Sequence, residues 1–344
     1  MKSRRSYINI NYEGKDITGD LSPYLKGFSY TDNLDKGDNV TLSLTGDKWI
    51  KEWAILKGDK ITVEIGVINW RNEGDNRILK CGTFTIDDLS FSGTPDTMNI
   101  SGTSIDITKD LKGVKKDNTW ENISLKEIAQ EISKTYSLDL FYDCTEEFIF
   151  DKVDQMKESD SSLLARISKE QGMALKITMD KIIIFDEKKY EDKETVITFD
   201  KTNLMKYDLQ CDDLEVYDAC ELTFYDPFLG ELLKSKYEAP ISEFYKIKTG
   251  KILYENIDTK VIGNTKEEKE KFLNDRAKKI LRSKNKNETK MKISYMGDPE
   301  YLAGITTKIL GFGRYDGVYL ITSVTHDVTK KYTCSLNMRR RLGF

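Results

Sequence analysis

The 344-residue sequence contains a single histidine, His326, and only five cysteines, none of them spaced as Cys-x-x-Cys. Zinc sites are built from clustered Cys and His ligands, so this scarcity predicts no metal site and reduced, partly buried cysteines. A Ser-His-Asp or Cys-His catalytic arrangement would have to include His326, and no Gly-x-Ser-x-Gly motif accompanies it. We therefore expect His326 to be a hydrogen-bonded structural residue, and we predict no catalytic residue and no cofactor.

Long apolar runs and an excess of positive charge are also missing. No stretch of about 18 consecutive apolar residues occurs, which predicts that the chain has no membrane span. Residues 1–7 carry basic side chains without a following apolar segment, so we expect no secretory signal. The net charge of −4 argues against a protein whose main task is to grip nucleic-acid phosphates.

Short segments of alternating apolar and polar residues dominate the first part of the chain. Residues 40–44 and 61–65 alternate cleanly, and Gly93, Thr94, Pro95 and Asp96 provide a turn between two further alternating runs. Many short strands with regular turn signals are typical of a sandwich or a closed barrel. We predict an N-terminal β-barrel domain over residues 1–112.

The middle of the chain changes to helical periodicity. Ser124 and Glu127 have the spacing of a helix-capping box, and an apolar stripe follows them. A second helix is predicted to start near Ser159 or Asp160 and to end at Gly172, and a hairpin is predicted over residues 173–185. These elements indicate a small α+β domain over residues 113–192.

The remaining residues, 193–344, are predicted to form a second β-barrel domain with an inserted segment. A helix at about 265–283 starts with a capping box of Thr265 and Glu268, and Asp316-Gly317 predicts a tight hairpin between two apolar runs. Simple alternation predicts two faces for the strand that contains His326. One face holds Val318, Leu320, Thr322, Val324 and His326, and the other holds Tyr319, Ile321, Ser323 and Thr325. The fold class is α+β, mainly β.

Adjacent acidic pairs and an arginine run are the most conspicuous polar features. The pairs are Asp87-Asp88, Glu146-Glu147 and Asp212-Asp213. Neighbouring residues of a strand point to opposite faces, so we interpret the pairs as surface residues and not as a catalytic dyad. The run Arg339, Arg340 and Arg341 could meet nucleic acid, an acidic neighbouring subunit or only water.

Three blocks in a fixed order carry a resemblance to a known family. They are residues 120–129, residues 155–172, and residues 297–304 followed by residues 316–319 and His326. With these blocks the chain resembles the phage late control D family, the baseplate hub proteins of contractile tails and related contractile injection systems. The resemblance covers most of residues 115–344, whereas residues 1–110 match only in general β character.

The resemblance implies a structural, non-enzymatic protein. It implies a homotrimer whose two barrels per subunit form a pseudo-six-fold ring between a hexameric tail tube protein and a trimeric spike protein, with other baseplate proteins nearby. It also implies synthesis in the bacterial cytoplasm and incorporation into a phage virion or phage-tail-like particle. Because the sequence ends at Phe344, soon after the last strand, we expect a separate spike protein.

Two expectations about surfaces follow from this implied assembly. Arg339, Arg340 and Arg341 are the expected subunit or partner contact. If DNA or a tape-measure protein passes through the ring, an acidic chain is expected to line the channel with carboxylates that repel phosphate.

Two alternative functions stay open. A tail-associated cell-wall hydrolase would use an Asp/Glu pair from residues 208–221. A carbohydrate- or receptor-binding tail module would use some of the 18 tyrosines and 4 tryptophans on an exposed platform, although it leaves the helical middle domain unexplained.

Overall fold

The computed structural model describes residues 3–46, 55–105, 111, 113–144, 148–212, 216–240, 250–257, 261, 263, 265–329 and 331–344. The strands of this part are β1 Arg5–Tyr12, β2 Lys15–Asp16, β3 Leu25–Asn33, β4 Asn39–Thr45, β5 Lys60–Ile68, β6 Arg77–Ser92, β7 Thr97–Thr103, β8 Lys116–Ser124, β9 Asp139–Asp143, β10 Ile149–Glu158, β11 Met173–Ile177, β12 Lys181–Asp186, β13 Ile197–Asp200, β14 Lys206–Cys211, β15 Ala219–Asp226, β16 Glu231–Glu238, β17 Ile252–Asn256, β18 Thr289–Met296, β19 Thr306–Leu310, β20 Gly317–Val328 and β21 Tyr332–Arg340. The α-helices are α1 Thr18–Leu21, α2 Leu125–Thr135, α3 Asp160–Glu170, α4 Glu187–Glu191 and α5 Lys266–Asn285, with 3₁₀ turns at Lys201–Asn203 and Gly313–Tyr315. The predicted fold class, α+β and mainly β, is confirmed.

The strands before the middle region, β1–β7, and the strands β13, β14 and β18–β21 after it belong to one 13-stranded sheet. Its order is β14-β18-β21-β20-β3-β4-β7-β6-β5-β1-β2, with β19 paired to β20 and β13 paired to β19. The two regions meet where β20 pairs with β3, from Ser323 opposite Asn33 to Asp327 opposite Ser29. One hydrophobic core continues across this junction. The division into two separate barrel domains, 1–112 and 193–344, therefore stays a prediction.

A β-bulge in β20 changes the predicted faces of this strand. The pairing of β20 with β21 shifts register between Ile321 and Ser323, so Thr322 is an extra residue. Because a bulge inserts one extra residue, the residues after it point to the opposite face from the one that simple alternation predicts. Tyr319 and Ile321 consequently share the core face with Val324, which corrects the expected grouping.

The hairpin before β20 forms with a longer turn than predicted. β19 and β20 pair antiparallel with Ile309 opposite Gly317, and the 3₁₀ turn Gly313–Tyr315 lies between them. The Asp316 carboxylate accepts a hydrogen bond from the Phe312 backbone N–H at 2.6 Å and stabilises this turn.

The middle region has a core of its own, between two helices and two small sheets. α2 begins with the predicted Ser124/Glu127 capping box, and α3 begins after Ser159, whose hydroxyl accepts from the backbone N–H of Ser162. β8 pairs with β10, and β11-β12-β9 form a second sheet in which β11 and β12 are the predicted hairpin. Leu125, Leu163 and Ile182 are among the fully buried side chains of this core.

The inserted segment forms a further unit that the sequence reading did not resolve. β16-β15-β17 make a three-stranded sheet, and α5 packs against it through Leu273, Ala277 and Leu281. α5 has the predicted capping box of Thr265 and Glu268. The C-terminal Phe344 also packs against this core.

Candidate assembly surface

Arg339 lies in the protein interior and not on a surface. Its side chain is 3% exposed, and its Nη2 is 2.5 Å from carboxylate oxygens of both Glu187 and Glu191 on α4. α5 contributes two more ion pairs, Arg282 with Glu191 at 2.7 Å and Lys286 with Glu187 at 2.6 Å. We call these five side chains the α4 ion network. The expected partner contact through the arginine run does not extend to Arg339, because its guanidinium is engaged inside the chain.

The other two arginines of the run are accessible. Arg340 is half-buried and donates to the backbone carbonyls of Arg314 and Asp316, at 3.1 and 2.7 Å. Arg341 is exposed, with one long hydrogen bond of 3.4 Å to the carbonyl of Glu191. A contact role for Arg340 and Arg341 stays a prediction.

His326 is completely buried in the shared core. Nε2 donates to the Tyr301 carbonyl at 3.0 Å, so Nδ1 accepts from the Tyr332 hydroxyl at 2.7 Å. The Tyr30 ring stacks on the imidazole with centroids 5.7 Å apart. Burial lowers the pKa of His326 to about 4, so the ring is neutral at pH 7. Both ring nitrogens have hydrogen-bond partners inside the chain, and we propose a structural role for His326.

The block that starts at Gly297 holds the N-terminal and C-terminal regions together. Asp298 is buried and forms ion pairs with Arg71 and Arg77 at 2.9 and 2.8 Å. The indole of Trp70 donates to the Gly297 carbonyl at 2.7 Å. A Cβ at Gly297 would collide with the Tyr332 ring, which explains the glycine. This part of the resemblance therefore corresponds to a structural joint.

The acidic pairs do not form a catalytic constellation in the described part of the chain. Asp87 and Asp88 are both exposed, because a register shift between Ile86 and Asp88 interrupts the alternation of β6. Glu146, Glu147 and Asp213 lie outside the described residues. Among the described residues, no group of three or more His, Cys, Asp or Glu side chains could hold a metal ion.

Two strand edges are open for pairing with another chain. β14 pairs with β18, and no strand that the structure describes pairs with its other edge. One edge of β6 pairs with β5 through residues 77–85. Over residues 87–92 this edge has no partner strand in the described part of the fold, because β7 pairs with the opposite edge there. Tyr207 and Phe91 are each 50% exposed at these edges. We call β14 and residues 87–92 the two open edges.

The open edges are the two ends of one continuous antiparallel ribbon, β14-β18-β21-β20-β3-β4-β7-β6. One face of this ribbon covers the hydrophobic core. Hydroxyl and amide side chains prevail on the other face, where Thr31 bonds Thr325 at 3.0 Å and Ser43 bonds Asn99 at 2.6 Å. The sequence reading missed the ribbon because its strands come from opposite ends of the chain.

Solved phage tail proteins share this fold. Solved structures of similar fold include a tail protein from Neisseria meningitidis MC58, with a TM-score of 0.68, 14% identity and coverage of 97% of this chain and 96% of that one. The 43 kDa tail protein of prophage MuSo2 from Shewanella oneidensis has a TM-score of 0.66, 17% identity and coverage of 98% and 97%. An Escherichia coli type VI secretion component described as similar to T4 tail proteins gp27 and gp5 has a TM-score of 0.52, 12% identity and coverage of 92% and 74%.

Sequence comparison identifies the family. The family model described as Alg8 N-terminal domain matches residues 56–330, and the chain belongs to this family. The probable baseplate hub proteins of Escherichia phages 186 and P2 are 25% and 27% identical over 176 and 173 residues. These matches span 51% and 50% of this chain but 43% of each relative, so the chain matches less than half of the relatives' length. The predicted resemblance to baseplate hub proteins is confirmed.

Among the described residues, no helix combines the length and apolar character that crossing a membrane requires.

Proposed function

We propose that the chain is a structural baseplate hub protein that trimerises into a pseudo-six-fold ring. The ring joins a hexameric tail tube protein to a trimeric spike protein in a phage tail or phage-tail-like contractile particle. The observation that carries this proposal is the antiparallel ribbon with an open edge at each end. The coarser assignment, a phage tail or type VI hub or spike protein, comes from the relatives and the fold.

The direction of the end strands supports head-to-tail assembly. The ribbon has eight strands and every neighbouring pair is antiparallel, so β14 and β6 run in opposite directions. β14 of one copy can therefore pair antiparallel with residues 87–92 of the next copy, which continues the alternation. Identical heterologous contacts generate a closed ring when the rotation between copies closes. Pairing also covers edges that would otherwise be exposed to aggregation.

The position of the core determines which face of the ribbon lines such a ring. The apolar face of the ribbon packs against the hydrophobic core and against strands β1, β5, β13 and β19. These strands need more space than the inside of a ring offers, so the apolar face lies on the outside of the ring. The hydroxyl-rich face is then left for the channel. Carboxylates such as Asp208 share this face with lysines such as Lys292, which lies opposite Asp208 in the register.

This face would give a channel wall with charges of both signs, such as Asp208 and Lys292, and not the purely carboxylate lining expected from net charge alone. Passage of DNA or a tape-measure protein through the ring remains part of the proposal. Contacts of Arg340 and Arg341 with other baseplate proteins, and location in a virion or related particle after synthesis in the bacterial cytoplasm, are also proposed.

Co-expression with the neighbouring gene products followed by negative-stain imaging tests this proposal. We expect ring-shaped particles with three-fold symmetry that carry a tube on one side and a spike on the other. Particles that contain one copy of the chain, with the tube and spike proteins present, would contradict it.

A cell-wall hydrolase function makes the opposite prediction for peptidoglycan. The described acidic residues of the 208–221 segment include Asp208, which is exposed and lies opposite Lys292. The hub proposal predicts that purified peptidoglycan incubated with the chain releases no soluble fragments. Release above that of a heat-denatured sample would favour the hydrolase.

A receptor-binding role is the second candidate because one unit exposes aromatic side chains. Phe228 at the tip of the β15–β16 hairpin is 95% exposed, and Tyr225 and Tyr254 on the same sheet are 61% and 66% exposed. Binding of host surface glycan that is lost in Phe228→Ala together with Tyr225→Ala would favour this role.

A further inference from the structure

β6 and β20 are built alike, although they come from different ends of the chain. The first part of each strand pairs with an outer strand, β5 for β6 and β19 for β20. A register shift then marks a bulge, after Ile86 in β6 and after Ile321 in β20. Beyond the bulge, residues 323–327 of β20 pair with residues 29–33 of β3, which we call the internal joint. The matching edge of β6 is one of the two open edges.

β3 and β14 correspond in the same way. The ribbon consists of two runs of four strands, β14-β18-β21-β20 and β3-β4-β7-β6. β20 ends the first run and pairs with β3, which begins the second run. β6 ends the second run, so the strand expected beside it is the one that begins the first run, which is β14. Within the ring, that β14 belongs to a neighbouring copy.

The strand pairings assign equivalent residues to the two runs. Ser323 is the first residue after the bulge of β20, and crossing β21 and β18 from it leads to Asp208 of β14. Asp88 is the first residue after the bulge of β6, and crossing β7 and β4 from it leads to Ser29 of β3. Ser323 is therefore equivalent to Asp88, and Asp208 is equivalent to Ser29.

We propose, as an extension that rests on the hub function proposed above, that the joint between two copies of this chain repeats the register of the internal joint. Asp327 lies opposite Ser29 in the internal joint. Ser92 follows Asp88 at the same distance in sequence as Asp327 follows Ser323. Ser92 of one copy consequently lies opposite Asp208 of the next copy.

This register continues the apolar face of the ribbon from one copy to the next. Phe91 is 50% exposed on the core face and lies opposite Leu209 of the next copy, which is also on that face. The equivalent pair of the internal joint is His326 and Tyr30, whose rings stack with centroids 5.7 Å apart. Leu209 would cover Phe91 as Tyr30 covers His326. A slip by one residue would bring apolar side chains onto the hydroxyl-rich face.

The same register continues the hydroxyl-rich face. Ser90 lies opposite Gln210 of the next copy, and the equivalent pair of the internal joint is Thr325 and Thr31, whose hydroxyls are 3.0 Å apart. The backbone N–H of Leu34 donates to the carbonyl of Thr322, so alternation makes Thr325 and Thr31 a pair without mutual backbone hydrogen bonds. The Cα atoms of such pairs are about 4.5 Å apart, which is within reach of a disulfide.

Paired cysteines in a Cys211→Ser background test the register. Ser90→Cys is combined with either Gln210→Cys or Asp208→Cys, and each full-length variant is oxidised mildly beside the neighbouring tube and spike gene products. The three substituted residues are exposed, so we expect the variants to fold. We expect covalent trimers from Ser90→Cys with Gln210→Cys in non-reducing electrophoresis. The pair with Asp208→Cys should form them about tenfold more slowly, because it is displaced by two residues along the strand.

The internal joint provides the matched control. Thr31→Cys with Thr325→Cys in the same background should form a disulfide within one chain, which shows that the oxidation suffices for a pair of this geometry. Faster cross-linking through Asp208→Cys would overturn the register, and so would the absence of cross-linking from both pairs in particles with three copies. Either result leaves the hub proposal standing, whereas particles with a single copy of the chain would contradict the hub proposal itself.

Discussion

His326 has an environment that decides its protonation state. Desolvation is the main effect and lowers the pKa of the imidazole to about 4, against attraction from Asp32 and Asp298. The unfolded chain binds a proton near the ordinary pKa of about 6.5, so between pH 6.5 and 4 the unfolded state carries more protons than the folded one. The stability contributed by this group is therefore complete above pH 6.5 and is lost as the pH falls towards 4.

We predict that His326→Gln flattens the pH dependence of unfolding. A shift from 6.5 to about 4 corresponds to a loss of about 3 kcal/mol for the wild-type chain across that window. The measurement is the free energy of unfolding in urea at pH 7.5 and at pH 4.5 for both proteins. Burial raises the pKa of Asp38 to about 6, so this group stabilises the folded state as the pH falls, opposite to His326. Asp38 is present in both the wild-type chain and the variant, so the comparison is unaffected. Parallel pH profiles would refute a buried, neutral His326.

Arg339 and Arg341 are two positions apart in one basic run, and they make a matched pair. We predict that Arg339→Leu lowers the free energy of unfolding by about 1–3 kcal/mol, because it leaves one buried carboxylate oxygen of Glu187 and one of Glu191 without a hydrogen-bond partner. The exposed Arg341→Ala should change it by about 0.5 kcal/mol or less. Urea denaturation of both variants checks this. Unchanged stability of Arg339→Leu combined with lost assembly would instead make Arg339 a partner contact.

These arginines also show where residue-level prediction stops. The run consists of three consecutive arginines, Arg339, Arg340 and Arg341, and the sequence does not distinguish one from another. A basic run at the end of a strand is usually solvated. The burial of Arg339 depends on Glu187 and Glu191, about 150 positions earlier in the chain. No local pattern carries that information.

Element-level signals predicted the three longest helices, α2, α3 and α5, because their causes are local, whereas the short helices α1 and α4 were not predicted. The capping boxes at Ser124 and Thr265 depend on a residue three positions later, and both form as expected. Gly172 has a φ of +73° just after α3, which is the conformation that the predicted helix end requires. The bulge at Thr322 and the pairing of β20 with β3 could not be predicted in this way, since both depend on strands that are remote in sequence.

The open edges give a prediction at the level of the strand. Cys211 is exposed at the end of β14, whereas the other four cysteines are buried or half-buried. In an antiparallel pairing that overlaps all six residues, Cys211 of one copy lies near Asp87 of the next. We predict that Asp87→Cys forms covalent oligomers through Cys211 under mild oxidation, detected by non-reducing electrophoresis.

The control places the new cysteine at the other end of the same edge. Ser92→Cys should cross-link far less, because antiparallel pairing places residue 92 opposite the start of β14. Equal cross-linking of both variants, or cross-linking that persists in Cys211→Ser, would contradict the pairing.

At the scale of the whole molecule, one sheet joins both ends of the chain and the two smaller units pack beside it. The sequence predicted β regions on both sides of an α+β region, which the structure has. The sequence alone did not show that β20 and β3 join these regions into a single ribbon with two open edges. The open-ended ribbon supports the hub proposal, because the ribbon can close into a ring only by pairing with further copies of the chain.

Native mass spectrometry of the chain with its neighbouring tube and spike gene products tests the central claim most directly. The proposal predicts a complex that contains three copies of the chain. It also predicts that the complex loses this stoichiometry when Tyr207→Pro disturbs the β14 edge while the chain remains folded. A complex with a single copy of the chain, or a stable monomer at micromolar concentration beside both partners, would contradict it.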